Sequence, residues 1–452
     1  MRKGIALLTL VGLSLHGVVL GSVAVRAIDR AEPGAAMNPA GSPAAENQPA
    51  RAPKTLARTY DPVVVSAGEF ATLPEPSTAK LRLYRVDAGR GVPIPFQFDQ
   101  RDRRGDLVVD GPTDFDLAPH DELVFMAKDT GDRAAADFWP ADCDAASEIE
   151  VTDPRSHALG WVYLLHFRDT PPPPATERYV TFDPSATQAR SASYEADYAP
   201  TRNFFSGLHV SERAGGDGTN ILRRTEMLGC PTFSLLLSTV TLQFTEQTSV
   251  VRIEGVKNGP VRAVRRVQLA VNLGGLFPDL PTGTVYTYHY ENAFVTPTKV
   301  HIPWVMLKTL KDFRFEDVHD FAPQALPLRY WDGANPAGLT LADQSVRAET
   351  TQDHDWWVHS SRAGTMLHAF LIPEAWRKWG IVRGTVVRTD QTTTAGDGAG
   401  FSLLHMTQLH EAGTYDLVQA SIVLPHPYQP GDEDEPMAML RAPLEVAVHG
   451  VR

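Results

Sequence analysis

Two cysteines, Cys143 and Cys230, are all that 452 residues contain, too few for the dense disulfide framework of small secreted domains. Neither stands beside a histidine at a ligand-like spacing, so no zinc site is indicated. One Cys143–Cys230 bridge remains open to a chain in an oxidising compartment. Basic charge is also scarce. The 42 Lys and Arg against 54 Asp and Glu leave a formal net charge of −12, the wrong sign for a nucleic-acid partner, which needs a basic patch. Beyond Ala27 no uncharged apolar run reaches the roughly 20 residues that span a bilayer. P-loop, dinucleotide and serine-elbow motifs are missing. GGDGTN (residues 215–220) and AGDGAG (residues 395–400) lead into no helix that could hold phosphate and read as turns. No cofactor and no metal site is called for.

Helical periodicity is sparse as well. The best pattern, VMLKTLKDFRFEDVHDF (residues 305–321), has apolar residues at mixed three-to-four spacing, and PEAWRKWG (residues 373–380) reads as one short turn. What is abundant is short β-prone runs bounded by Gly, Pro and Asp, such as AKLRLYRV, DELVFMAKD and GWVYLLHF, then FSLLLSTVTLQFTE, TVYTYHYENAFV, TMLHAFLI and LVQASIVL. The fold class expected is all-β: a small β-sandwich followed by a larger β-sandwich, of a size that admits a supersandwich, with few short helices.

Punctuation along the chain sets the expected boundaries. Residues 1–27 pair Arg2 and Lys3 with an apolar run and a small-residue end at Val25-Arg26-Ala27, the pattern of a cleaved export leader, with an uncleaved anchor as the rival. Residues 28–58, rich in Ala, Pro and Gly, read as a disordered linker. Pro171 to Pro174 cannot donate ladder hydrogen bonds and divide a first domain, 59–170, from a second, 175–452. The location implied is periplasmic or secreted, with no membrane span once the leader is removed.

Four patterns could carry chemistry. In VRIEGVKNGPVRAV, Asn258-Gly259 suits a two-residue type I′ hairpin. That register puts Arg252 opposite Arg265 with Glu254 diagonal to both, a salt-bridged face or an anchor for an acidic ligand. In DHDWWVHSS, strand alternation groups Asp353, Asp355, Trp357 and His359 on one face, a carboxylate, indole and imidazole mixture that suits a sugar ring. An outward polar face with Trp357 covering apolar neighbours gives the same pattern. His354 and His359 point oppositely and form no local metal pair. In TVYTYHYENAF, Tyr286, Tyr288 and Tyr290 share one face, with His289 and Glu291 on the other as an imidazole that a carboxylate could orient. His405 and His410 likewise fall on opposite faces.

The fourth pattern is acidic. VPIPFQFDQRD followed by HDELVFMAKDTGD (within residues 92–132) resembles a pattern in poorly characterised exported bacterial all-β proteins, some associated with carbohydrate-degrading systems. The resemblance implies an exported β-domain and assigns no catalytic residue. The compact D-x-D-x-D-G run of those proteins is absent, and the intervening aspartates fit no EF-hand spacing. Two functions are therefore expected in competition, with enzyme status open. One is an exported carbohydrate-binding or carbohydrate-active β-protein with a saccharide partner. The other is a non-enzymatic cell-envelope component that uses its aromatic faces for packing or for an envelope-protein partner.

Overall fold

The computed structural model describes residues 20–21 and 52–452, apart from 71–72, 75–76, 136–137, 141, 201–204, 236–237, 246–247, 272–279, 303, 342–346, 350–351 and 391–395. The expected leader and most of the expected linker lie outside the described residues. Leu20–Gly21 alone of the leader are described, as a short strand beside Leu280–His289 and Ala293–Ile302, a pairing that leader removal would undo. The chain is all-β and forms two compact units, Ala24–Arg178 with Ala438–Arg452, and Met1–Val23 with Tyr179–Met437.

The smaller unit is a sandwich of a five-stranded and a three-stranded sheet. Leu159–Phe167 is central in the larger sheet and buried almost throughout, as its unbroken apolar run LGWVYLLHF requires. On one face, Leu83, Ile149, Val162 and Leu164 meet Val63, Val65, Leu123 and Phe125 of the other sheet. Each such side chain contributes about 1.5–3 kcal/mol of burial. The opposite face buries Trp161, Tyr163, Leu165 and Phe167 with Val86 and Cys143. The aspartates of the acidic segment form turns: Asp121 accepts from the Arg101 and Ala118 N–H groups, and Asp102 from those of Arg104 and Asp106.

One edge strand of the five-stranded sheet is Glu445–Gly450, paired with Cys143–Thr152. The second domain therefore does not run to residue 452 as the proline boundary suggested. A strand returning from the chain end has the same local alternation wherever it docks, so its sequence carries no address. Cys143 and Cys230 belong to different units and are both free, which corrects the disulfide expectation.

The larger unit has ten-, seven- and four-stranded sheets. Phe233, Phe321, Phe401 and Leu403 of the seven-stranded sheet share one core with Trp357, Met366, Phe370 and Val423 of the ten-stranded sheet and with Tyr194 and Leu208 of the four-stranded one. Two local expectations change here. The helix expected over residues 305–321 is a short helix, Trp304–Thr309, followed by a twelve-residue strand, Leu310–Phe321. The hairpin near Asn258 exists, but Asn258 pairs with Ala263, so residues 259–262 form the loop. A two-residue turn at Asn258-Gly259 would need the N–H of residue 260 to close it, and residue 260 is proline. The Asn258 side chain instead bonds both backbone groups of Phe182. That loop sets Arg265 opposite Val256, a bulge between Ile253 and Gly255 sets Arg252 opposite Gln268, and Glu254 bonds Arg266 at 2.8 Å. Arg252 and Arg265 therefore make no common anion site.

Candidate functional site: a polar cavity inside the larger sandwich

Alternation along Leu310–Phe321 explains how polar groups reach the interior. Phe313, Phe315, Asp317, His319 and Phe321 take one face of the strand, so a carboxyl and an imidazole occupy positions within an otherwise aromatic stripe. The facing sheet does the same. Trp357 and His359 point inward from Trp356–Ser361, His368 from Gly364–Leu371, and Gln419 and Ser421 from Gly413–Leu424. Between the two sheets lies a cavity of about 180 Å³, walled by Asp317, His319, His368, Trp357, Tyr198 and Gln419 among others. Asp317 and His319 keep part of their surface accessible although protein surrounds them. Since both line the cavity, that surface belongs to its wall.

Hydrogen bonds and ring contacts fix these groups. Gln419 Nε2 donates to Asp317 Oδ2 at 2.6 Å. His368 Nδ1 is 2.8 Å from Ser421 Oγ. The His319 and His368 rings meet edge-on at 4.4 Å, and His359 stacks on His368 at 5.2 Å. Burial lifts the Asp317 carboxyl to about 6, against the opposing hydrogen bond from Gln419. It drags His319 down to about 4. His359 falls to about 3, through burial first and the neighbouring His319 second. His368 lies well below the ordinary histidine range for the same reasons, with His359 adding to the effect. Near pH 7 the cavity thus presents neutral imidazoles and a carboxyl within reach of protonation.

The sequence candidates divide between packing and this wall. Trp357 and His359 are 1 % and 0 % exposed, so the face they share is turned inward, not outward. The indole is covered on both sides, by His368 at 4.1 Å and by Tyr330 at 5.6 Å, each near parallel, and has no free face on which a sugar could stack. Asp353 and Asp355 precede the strand and do not share its inward face. Asp353 grips Arg383 through both carboxylate oxygens, and Asp355 lies 3.9 Å from the same guanidinium. Arg383 more than offsets the upward push of burial on Asp353. His289 is buried between Tyr194 and Tyr198, whose hydroxyls take Nδ1 at 3.0 Å and Nε2 at 2.9 Å. With both nitrogens engaged, Glu291, which lies beyond the strand end at His289, does not orient the ring. Arg265 is buried over the ring of Tyr198, a cavity-lining residue, at 4.2 Å, whereas Arg252 is exposed.

Asp317, His319, His368, Gln419 and Ser421 were not among the candidates. The signal was present in F-x-F-x-D-x-H-x-F, an alternation that a search for apolar residues alone reads as broken. AGDGAG also differs from its turn reading, since Gly396–Leu404 is a strand paired with Leu310–Phe321. A Cβ at Gly400 would stand 2.0 Å from the Asp317 carbonyl oxygen, so the glycine permits the close approach that places Asp317.

No family model matches the chain, and no curated protein matches it. Among solved structures it is similar to an alpha-mannosidase from Enterococcus faecalis V583, with a TM-score of 0.45 and 10% identity over 89% of this chain and 46% of that one. It is similar also to a protein in the glycosyl hydrolase family 38 from Enterococcus faecalis, with a TM-score of 0.44 and 10% identity over 89% and 47%. The chain spans about half the length of either. Neither likeness assigns a residue. Among the described residues no helix is long and apolar enough to cross a membrane.

Proposed function

We propose that the larger unit is a binding module for one small polyhydroxylated molecule of the saccharide class, held in the cavity between the seven- and ten-stranded sheets. The observation that carries this reading is the state of the wall. Asp317 Oδ1, His319 Nδ1, His368 Nε2, Trp357 Nε1 and Thr225 Oγ1 all lack a hydrogen-bond partner within the protein. Buried polar groups are nearly always paired, and each one left unmet costs about 1–3 kcal/mol. A compact ligand with several hydroxyls, each both donor and acceptor, matches a wall that mixes carboxylate, imidazole, indole and hydroxyl groups.

Size narrows the class. About 180 Å³ is below the roughly 300–1,000 Å³ of pockets for drug-sized ligands, which suits a single ring. Binding is favoured over hydrolysis because Asp317 is the one carboxylate lining the cavity among the described residues, whereas glycoside cleavage ordinarily needs a pair about 5–9.5 Å apart. The reading includes an exported location, supported by the leader-like composition of residues 1–27.

Isothermal titration with a panel of monosaccharides and cyclic polyols tests it. Saturable one-to-one binding that Asp317→Asn and His368→Phe each weaken at least about tenfold, the worth of one good hydrogen bond to a charged or buried group, is the expected result. No binding across the panel, or binding indifferent to both substitutions, overturns it.

A further inference from the structure

The outer face of the four-stranded sheet carries a second cluster of polar side chains. Pairing sets Glu195 opposite His209, and Asp197 opposite Gln188 on one side and Gly207 on the other. Tyr194, Ala196 and Tyr198 point into the core, so alternation sends Glu195 and Asp197 outward together. One ligand atom from each of Glu195, Asp197 and His209 lies within 4.8 Å of the others.

Gln188, Gly207, the Gly218 carbonyl and Arg190 surround these three groups. Gln188 is only 8% exposed, and its amide points into the cluster: Nε2 donates to both carboxylates while Oε1 has no partner. Asp197 Oδ2 takes up the space over Gly207, where a Cβ would stand 2.5 Å from it. His209 Nδ1 lies 3.0 Å from the Gly218 carbonyl oxygen. A carbonyl only accepts, so Nδ1 carries a proton, and the neutral ring keeps its lone pair on Nε2. That lone pair faces Asp197 Oδ2 at 3.4 Å. Two acceptors at that distance repel unless Nε2 is also protonated or a cation lies between them. Arg190 holds Glu195 Oε2 at 2.9 Å, which leaves Oε1 to the cluster.

We propose that Glu195, Asp197 and His209 bind one divalent transition-metal ion on this face, with the Gln188 amide turning its oxygen inward as a fourth ligand. The carbonyl bond at Nδ1 would fix the ring and its tautomer as outer partners of metal-bound histidines do. A ligand set of mixed oxygen and imidazole nitrogen favours Mn²⁺ or Zn²⁺ over Ca²⁺, which prefers oxygen alone.

Chelator-stripped full-length protein titrated with Mn²⁺, the free ion followed by electron paramagnetic resonance and Zn²⁺ added in competition, decides the matter. One site per chain is expected, weakened roughly tenfold or more by Glu195→Gln and by His209→Gln, and unchanged by Asp317→Asn, which lies in the cavity. Absence of a stoichiometric site in the wild type, or equal affinity in the folded variants, overturns the proposal and leaves an imidazolium–carboxylate pair. Should a variant fail to fold, spin-echo modulation of the wild-type Mn²⁺ complex replaces it. A coupled imidazole nitrogen supports the site, and an ion coordinated by oxygen alone overturns it.

Discussion

At the scale of single residues, Trp357 and Asp317 behave in opposite ways. Trp357 looks from its sequence neighbours like a surface platform, yet it is enclosed by Tyr330, His368 and Phe401. Truncating a large aromatic in such a site typically costs about 3–5 kcal/mol, so Trp357→Ala is expected to lower the denaturation midpoint by a corresponding amount in a urea titration. A loss below about 1 kcal/mol would mean that the indole is not packed as described. Asp317 is a burden on the fold. Its folded pKa of about 6 lies above the ordinary 3.8, so the folded chain holds this proton more tightly than the unfolded chain, and stability falls as pH rises from about 4 to about 6. A rise from 3.8 to about 6 corresponds to about 3 kcal/mol at most, less what the cavity-facing surface of the carboxyl screens. Asp317→Asn should therefore raise the melting temperature above pH 6, converge with the wild type below pH 4, and lose ligand, a gain in stability at the expense of a site. Equal melting temperatures at pH 7.5 would show that Asp317 carries no such strain.

At the scale of elements, the all-β class was legible because most strands alternate in the ordinary way, apolar inward and polar outward. The Leu310–Phe321 strand was not, because it turns Asp317 and His319 inward among Phe313, Phe315 and Phe321. A polar interior erases the contrast from which strands are read, so the element that makes the site was misassigned. The Asn258 hairpin was recognised but not its register, since Pro260 forbids the tight turn that Asn-Gly suggests. The close approach of Gly396–Leu404 to Leu310–Phe321 is a property of the strand pair. Gly400→Ala pushes a methyl toward the Asp317 carbonyl at a separation of 2.0 Å, and overpacking of this kind costs about 1–3 kcal/mol. Thermal unfolding should show that loss together with weaker ligand binding, because Asp317 moves with its backbone. Unchanged stability would place the two strands farther apart.

For the molecule as a whole, the larger unit buries several histidines in neutral form. His289 and His359 are depressed to about 3 and His319 to about 4, and His368 is also lowered. Unfolding lets each bind a proton near its ordinary 6.5, so the stability they contribute is complete above that pH and is lost as pH falls toward their folded values. Each contributes about 1.4 kcal/mol per pH unit over that window. Several together outweigh the single opposite term from Asp317, so the larger unit should unfold cooperatively on acidification between pH 6 and pH 4, which circular dichroism against pH can follow. A flat profile down to pH 4 would contradict neutral burial of these rings.

The same histidines offer the most direct test of the central claim, that the interior of the larger sandwich is a binding site. Nuclear magnetic resonance of protein carrying ¹⁵N-labelled histidine, with a monosaccharide selected by titration added to saturation at pH 7, reads the cavity wall itself. His319 and His368 should give neutral-imidazole signals that do not titrate near 6.5 and that shift on addition of the sugar, while exposed His426 stays in place. Shifts confined to exposed histidines, or none at saturation, would show that the ligand does not enter the cavity and that its polar wall serves the fold alone.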